Sequence, residues 1–312
     1  MNARAARRGG PPLLGAGAYG AEHFQCNAHG SVCCHNTMNA ELEATPEAVA
    51  RHYDHITRFY EIVGSRSLHF GYWPRGDEGS SLGEAQQRFT DFLIGQLGVR
   101  KGQRVLDAGC GIGEPAIQLA RSTGCEVEGI TISPRQAAQA ERWARLLGTS
   151  GQTAFRCADA MALPFPAESF DAAWAIESIF HMPDRATVLR EAARVLRPGG
   201  RLVIADIVVT ETATPEERAF LHRALLARSL ITAETYPAIV RGAGFDVEQV
   251  LDVSGNVMAT LGAVAVGIEE KGEEVRRAYG EAFLAGMKSE WARVTNVASR
   301  GMGYVVLTAH RR

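Results

Sequence analysis

A glycine-rich turn links a short apolar segment to a helical pattern in the stretch Asp107-Ala-Gly-Cys-Gly-Ile-Gly-Glu114. Its glycines, Gly109 and Gly111 among them, permit a sharp turn and let a ligand approach the backbone closely. A dinucleotide fingerprint has the spacing G-x-G-x-x-G, whereas here the third glycine comes one residue early and Glu114 opens the helix. The Glu114 carboxylate would repel a pyrophosphate. Together with Asp107 it would attract a ligand that has a positive centre and no phosphate.

The turn belongs to a region in which short apolar segments alternate with helical patterns. Such alternation implies right-handed crossovers and a mostly parallel sheet covered on both faces, which is an α/β fold of Rossmann-like type. Ligands bind such a sheet at the carboxyl ends of its strands. The predicted strands are 104–108, 126–130, 154–157, 170–176, 201–206, 246–252 and 304–309.

The residues before the first strand are expected to be helical only in part. Thr45-Pro46 is typical of a helix N-cap followed by proline at the first helical position. A second amphipathic pattern begins near Leu82. We expect a disordered leader at 1–40, a helical cap at 41–98 and the α/β core at 99–312.

Composition narrows the range of partners. The formal net charge is −2 and no Lys/Arg-rich run with interleaved aromatics occurs, so nucleic acid is not expected. No apolar stretch approaches the roughly 20 residues that cross a bilayer. We therefore expect a cytoplasmic protein without membrane partners, either a monomer or a homodimer. Cys26, Cys33, Cys34 and His35 match no standard zinc spacing, and no metal is expected.

Three segments in chain order resemble the class I methyltransferases that use S-adenosylmethionine (SAM). The first is the glycine-rich turn with the two residues before it. The second, Glu128-Gly-Ile-Thr-Ile-Ser-Pro-Arg-Gln136, is similar to the second-strand segment of tocopherol-type, sterol and natural-product methyltransferases. The third, Cys157-Ala-Asp-Ala160, is similar to the adenine-binding segment. The resemblance implies a seven-stranded, mostly parallel sheet with an antiparallel last strand, and SAM as cofactor.

The same resemblance assigns cofactor contacts to individual residues. Most class I enzymes have an acidic residue where Thr131 stands, but this subgroup commonly has Thr there and Gln five residues later. Ribose contacts are therefore expected from Thr131 and Gln136, with an ordinary β-branched strand residue as the alternative for Thr131. Asp159 is expected to accept from the adenine amine, and the amide of Ala160 to meet a ring nitrogen.

A histidine follows the fourth predicted strand in Trp174-Ala-Ile-Glu-Ser-Ile-Phe-His-Met-Pro-Asp184. Methyl transfer to an alcohol requires in-line alignment and a base for the hydroxyl proton, for which a neutral His is the usual choice. This stretch, with Val203-Ile-Ala-Asp206, resembles natural-product O-methyltransferases of the rebeccamycin sugar, macrolide and ansamycin type. The resemblance implies His181 as general base and Asp206 as its partner or as an acceptor-binding group. A purely structural role for His181 is the alternative.

An aromatic loop, His69-Phe-Gly-Tyr-Trp73, resembles the segment before the core that lies over the methionine part of the cofactor. A sulfonium beside aromatic faces gains roughly 1 kcal/mol by cation–π attraction. We therefore expect Tyr53 and Trp73 to contact the cofactor, with a core cluster as the alternative. Glu177, after the fourth strand, is also expected to bind it.

The acceptor-binding lid is expected within 211–245 and 253–300, because these helices vary most from the family pattern. An apolar lining suits a bulky, partly apolar natural product. The residues expected to line it are Leu225, Leu226, Tyr236, Met258, Met287 and Trp291.

The sequence thus favours a SAM-dependent O-methyltransferase that acts on a hydroxyl of a natural product, either a sugar or an aglycone. A C- or N-methyltransferase of the same fold, acting on a prenyl, sterol or amine substrate, is the first alternative. A diphosphate substrate would require several basic residues, and Arg201, Arg223 and Arg228 are scattered. A non-catalytic SAM-binding protein and a nicotinamide dehydrogenase are the remaining alternatives.

Overall fold

A mixed sheet forms the centre of the computed structural model, which describes residues 45–64, 66–77 and 79–312. Within these residues seven strands form one sheet in the order β3-β2-β1-β4-β5-β7-β6, where β1 is Arg104–Ala108, β2 Glu126–Thr131, β3 Thr153–Cys157, β4 Phe170–Ile176, β5 Leu196–Val209, β6 Phe245–Asp252 and β7 Met302–Arg311. Strand β7 runs antiparallel to both of its neighbours. The other pairs are parallel, as expected.

Helices cover both faces of the sheet. The helices are α1 Pro46–Val63, α2 Leu82–Leu97, α3 Glu114–Thr123, α4 Pro134–Leu146, α5 Arg185–Val195, α6 Pro215–Ala224, α7 Tyr236–Gly242, α8 Ser254–Val257, α9 Ala259–Glu270, α10 Gly272–Tyr279 and α11 Glu281–Gly301. The cap of α1 is the predicted one, because the Thr45 hydroxyl accepts from the amide of Ala48 at 3.2 Å. Ser81 and Glu84 form a capping box at α2. The predicted leader at 1–40 lies outside the described residues.

The order of the strands reverses at β1, with β2 on one side of it and β4 on the other. In such a sheet the carboxyl ends of the two central strands leave a crevice between their connections. Val105, Trp174 and Val203, on β1, β4 and β5, are completely buried, so these strands form the centre of the core. The crevice is therefore placed at the ends of β1 and β4, where the glycine-rich turn and the His181 segment begin.

The predicted bounds match the structure at β1 and β4, whereas the other five strands are longer than predicted. Helix α6 ends at Ala224, and shortly after it Leu226 adopts a left-handed backbone with φ of 48°. The amide of Arg228 then donates to the carbonyl of Phe180 at 2.8 Å, which draws the chain back to the sheet. Strand β5 is longer than 201–206, because β7 pairs with it up to Val209.

Among the described residues, no helix combines the length and the hydropathy that crossing a bilayer requires. The same part of the chain contains no group of three or more His, Cys, Asp or Glu side chains arranged to hold a metal ion.

The N-terminal helix packs closely on α9. A Cβ atom added at Gly267 would lie 2.1 Å from the carbonyl oxygen of Val63 at the end of α1. We expect Gly267→Ala to lower the free energy of unfolding by about 1–3 kcal/mol, since the two helices must move apart. The measurement is thermal or urea unfolding.

Gly262→Ala is the matched control, because it lies in the same helix and an added Cβ would meet nothing within 4 Å. This variant should be neutral, or more stable by up to about 1 kcal/mol, since Ala favours the helix. Equal stability of the two variants would contradict the close contact between α1 and α9.

Candidate active site

The glycine-rich turn after β1 is left-handed at all three glycines. The φ angles are 98° at Gly109, 52° at Gly111 and 84° at Gly113. A Cβ at Gly109 would lie 2.3 Å from the Cβ of Ser178, whose hydroxyl donates to the carbonyl of Ala108 at 2.6 Å. Glycine is required there because the turn and the residues after β4 touch.

Two carboxylates beside this turn each have one buried oxygen without a hydrogen-bond partner. Asp107 is 2% exposed, and its Oδ2 atom is buried without a hydrogen-bond partner. The Oε2 atom of Glu114 is likewise buried without a hydrogen bond, although the Nε atom of Arg66 lies 3.5 Å away. Burial raises the pKa of Asp107 to about 7. A ligand with an ammonium group would supply the missing donors and stabilise the ionised carboxylate.

The turn forms one wall of a cavity of about 1100 Å³, its open mouth included. The other walls are the end of β2, the segment after β3, the residues after β4, and α1. The size suits a nucleoside-sized ligand. Ten of the residues singled out in the sequence line it: Tyr53, Asp107, Gly109, Gly111, Thr131, Gln136, Asp159, Ala160, Glu177 and His181.

The polar residues expected to hold a nucleoside are arranged in two places. Thr131 and Gln136 are buried, and the Thr131 hydroxyl donates to the Oε1 atom of Gln136 at 2.7 Å. Asp159 is exposed, and its Oδ1 accepts from the amide of Met161 at 2.8 Å. Both Asp159 and Ala160 line the cavity.

Trp73 lies elsewhere. Its indole Nε1 donates to the carbonyl of Ser80 at 3.4 Å, and its ring packs with the cluster between α1 and the C-terminal helices. Trp73 is not among the residues that line the cavity, and its backbone is bound to Asn256. Its contact with the cofactor stays a prediction. Trp73 packs in a core cluster, which is the alternative expectation for it. Tyr53, on α1, lines the cavity.

His181 lies at the end of the short 3-10 turn Ile179–His181 after β4. Its Nδ1 atom is 3.0 Å from the carbonyl oxygen of Leu226, and its Nε2 atom is 2.8 Å from the hydroxyl of Tyr53. A carbonyl only accepts, so Nδ1 carries the proton and Nε2 has the lone pair. Burial lowers the pKa of His181 to about 4, and the imidazole is therefore neutral near pH 7.

Asp206, the expected partner of His181, does not contact it. This carboxylate is fully buried and binds Arg185 Nη1 at 2.8 Å and the Tyr236 hydroxyl at 2.7 Å. It lines neither of the two cavities. The expected direct His181–Asp206 contact is absent here, because Oδ2 of Asp206 binds Arg185 and Tyr236 and Oδ1 accepts from the amide of Ile207 at 3.2 Å.

Glu177 stands between the cofactor-sized cavity and a second one. Its Oε1 atom accepts from the amide of Phe70 at 2.7 Å and from the Tyr304 hydroxyl at 2.8 Å. Burial raises its pKa to about 8. The backbone is left-handed, with φ of 47°, a strained conformation for a residue with a Cβ. These constraints hold the carboxyl at the junction of the two cavities.

The second cavity, of about 880 Å³, lies beneath α1 and the C-terminal helices. It shares Tyr53, Glu177, Leu68 and His69 with the first cavity, so the two meet. Its further lining is mostly apolar: Tyr60, Val63, Phe70, Leu82, Phe180, Ile207, Leu225, Leu261, Val264, Trp291, Val294 and Met302. Of the expected acceptor residues, Leu225 and Trp291 contribute, whereas Leu226, Met258 and Met287 do not, and Tyr236 is bound to Asp206.

Sequence reasoning missed two features of this region. The first is that Tyr60 and Val63 of α1 line the second cavity, whereas their helical spacing predicts only that they are core residues. The second is Arg185, a 4% exposed arginine at the first position of α5. The only available signal was its place directly after the Asp184 cap, which a surface arginine would share.

We expect Gly109→Ala to weaken the binding of S-adenosylhomocysteine, the product form of the expected cofactor, roughly tenfold or more. The turn must retreat from Ser178 and carry Asp107 with it. Calorimetric titration measures the effect. Gly102→Ala is the control, because Gly102 is also left-handed, at 82°, but an added Cβ would meet nothing within 4 Å. Equal affinities of the two variants would contradict the close packing of the turn.

The raised pKa of Asp107 predicts pH-dependent binding. The ionised carboxylate binds an ammonium group and the protonated one does not, so affinity for S-adenosylhomocysteine should rise with pH through about 7. The dissociation constant at pH 6 should be roughly tenfold higher than at pH 8. Asp107→Asn should bind more weakly without this dependence. A wild-type affinity that is flat over this range would show that Asp107 makes no such contact.

Comparison with known proteins agrees with this geometry. A model of the methyltransferase domain matches residues 106–204. Methyltransferase GfsG of Streptomyces halstedii is 40% identical over 88% of this chain and 98% of that protein. The 27-O-demethylrifamycin SV methyltransferase of Amycolatopsis mediterranei is 36% identical over 86% and 98%. The crystal structure of the cyclase SpnF has a TM-score of 0.75 at 32% identity and covers 86% of this chain and 97% of that one.

The alignment covers 98% of each of the two methyltransferases. It therefore includes the helices around the second cavity as well as the sheet. The unpartnered oxygen of Asp107 and the glycines of the turn fit the ammonium and the close-lying nucleoside of SAM. The chain therefore belongs to the class I SAM-dependent methyltransferases, enzymes with S-adenosylmethionine as cofactor, and it resembles the natural-product O-methyltransferases among them.

Proposed function

We propose that this methyltransferase transfers the methyl group to a hydroxyl of an apolar natural product held in the second cavity, with His181 as general base. The observation that carries the proposal is the state of His181. Its Nδ1 atom is bound to the Leu226 carbonyl, which leaves the Nε2 lone pair on the side of Tyr53, a residue that lines both cavities. Burial keeps the ring neutral, and only a neutral imidazole accepts a proton.

Bound SAM supplies an electrophilic methyl group on its sulfonium. We assign its positive methionine end to Asp107 and Glu114, whose buried oxygens lack donors. Thr131 and Gln136 are proposed to bind the ribose, with Asp159 and Ala160 at the adenine. Because these residues share one cavity, they can fix the cofactor against the His181 end of it.

The hydroxyl of Tyr53 donates to Nε2 of His181 and lines both cavities. Burial holds the pKa of Tyr53 far above its usual range, so the phenol stays protonated and remains a donor. An acceptor hydroxyl that approaches through the second cavity reaches Nε2 at the position of the Tyr53 oxygen. We infer that it takes over this hydrogen bond, and that Nε2 receives its proton as the new bond to oxygen forms.

The lining of the second cavity favours a neutral, apolar acceptor. It contains no Lys or Arg among the described residues, whereas a prenyl diphosphate would need several. His52, which also lines it, has a pKa lowered to about 4 by burial and by His55, and supplies no cation at neutral pH. A C-methyltransferase acting on a prenyl diphosphate is therefore disfavoured. The lid is proposed to comprise parts of 211–245 and 253–300, where Leu225 and Trp291 stand.

The name of one relative supports this class of acceptor. The Amycolatopsis protein is named for methylation at an oxygen of a demethylrifamycin, and its similarity extends over 86% of this chain. We propose hydroxylated polyketide-like or terpenoid-like molecules as acceptors for the protein described here. Cytoplasmic location and a monomeric or homodimeric state stay predictions from the sequence.

The test is His181→Ala, assayed with demethylrifamycin SV and a panel of hydroxylated apolar aglycones. We expect turnover to fall by about 10²–10⁴-fold, because general-base catalysis contributes that much. Affinity for S-adenosylhomocysteine should stay within roughly threefold of wild type, since binding rests on other residues. Product formation is followed by mass spectrometry, and carbon–proton NMR correlations show whether the new methyl carbon is bonded to oxygen.

His310→Ala is the control, because His310 lies on the far part of β7 and lines neither cavity. It should retain wild-type turnover. Unchanged turnover in His181→Ala would refute the base role. Methylation at nitrogen or carbon would refute the O-methyltransferase assignment, and tight cofactor binding without any methylated product across the panel would favour the non-catalytic alternative.

A further inference from the structure

Arg185 is almost completely buried, and its donors are directed at two separate parts of the chain. The Nη1 atom donates to Asp206 Oδ2 and to the Tyr236 hydroxyl, both at 2.8 Å. The Nε atom donates to the hydroxyl of Ser229 at 3.1 Å, and Nη2 to its carbonyl at 2.5 Å. The guanidinium therefore ties the end of β5 to the turn that follows α6.

This turn, residues 225–229, is the one that supplies the carbonyl for His181. Leu226 is left-handed, so its carbonyl leaves the helical direction and accepts from Nδ1 of His181 at 3.0 Å. Three residues later, Ser229 is held by Arg185. Between them, the amide of Arg228 donates to the carbonyl of Phe180 at 2.8 Å. The turn is thus held at two points, both of which follow the His181 contact in the chain.

We propose that Arg185 and Asp206 are positioning residues for His181: Asp206 orients Arg185, which holds Ser229 so that the Leu226 carbonyl keeps the proton of His181 on Nδ1. The inference rests on the proposed role of His181 as base. It also gives Asp206 a function at a distance, although this carboxylate lines neither cavity. With the turn released, the imidazole can rotate or take the Nε2–H tautomer, which has no lone pair for the acceptor hydroxyl.

Chemical complementarity supports a link of this length. A planar guanidinium can donate to a carboxylate on one side and to a serine on the other, whereas an ammonium group cannot span both in fixed directions. The cation also disfavours protonation of His181, whose lowered pKa arises first from burial and in smaller part from His52 and Arg185. Both effects keep Nε2 unprotonated.

The experiment measures the tautomer directly. In protein labelled with ¹⁵N-histidine, the His181 signals are identified by their loss in His181→Gln, and their shifts report which nitrogen carries the proton. Arg185→Lys keeps the positive charge but removes the planar guanidinium that donates to Asp206 and Ser229 at once. We expect part of the His181 signal to move to the Nε2–H tautomer and kcat to fall roughly 100-fold, because small displacements of a catalytic group have effects of that size.

Affinity for S-adenosylhomocysteine should stay within about threefold in Arg185→Lys, as the cofactor residues are not involved. Arg190→Lys is the matched control, because Arg190 lies on the same helix with an exposed side chain that meets only surface partners. It should leave kcat and the tautomer unchanged. A folded Arg185→Lys with wild-type tautomer and kcat would overturn the proposal.

Asp206→Asn is the second variant, since it nearly preserves the size of the buried group if Arg185→Lys does not fold. It should give the same change of tautomer with a smaller loss of kcat, and a wild-type tautomer would overturn the role of Asp206. The proposed function is judged separately by turnover of the His181 variants. If His181 proves not to be the base, kcat of Arg185→Lys loses its meaning, but the tautomer still tests the chain of contacts.

Discussion

The hydrogen bond from Nδ1 of His181 to the carbonyl of Leu226 is the contact at which three parts of the molecule meet. The imidazole follows β4, the carbonyl belongs to the turn after α6, and the opposite nitrogen meets Tyr53 from α1. Each part is fixed by its own contact. Ser178 holds the segment after β4 against the glycine-rich turn, Arg185 binds Ser229 in the turn after α6, and α1 packs on α9. The chemical state of one ring therefore depends on the packing of the whole domain.

Local patterns predicted the sheet and brought together the residues that line the first cavity, since each depends on residues that are near in sequence. Two of the seven strands have the predicted bounds, and the cap at Thr45 is the expected one. Thr131 and Gln136, five positions apart, lie in the first cavity together. A turn or a strand end carries its own geometry, so a motif can be interpreted without knowledge of the rest of the chain.

The sequence did not reveal contacts between distant segments. Tyr53 and His181 are separated by 128 positions, and no periodicity indicates that they meet. Asp206 lies in β5 and His181 follows the neighbouring β4, which suggested a pair, but the buried Arg185 binds the carboxylate instead. Trp73 stands within a motif, yet its ring direction depends on α8 and the loop at Ser80. These outcomes depend on tertiary packing, which local spacing does not encode.

The close packing of α1 on α9 has a consequence for biosynthesis. Tyr53 belongs to α1, and α1 packs on residues 259–270. In the same region the amide of Gly71 donates to the Thr260 hydroxyl. A ribosome delivers those residues long after α1. The glycine-rich wall can fold earlier, so a nascent chain can acquire its cofactor-binding region long before His181 is enclosed. The surroundings of His181 are thus completed only after α9 has been synthesised.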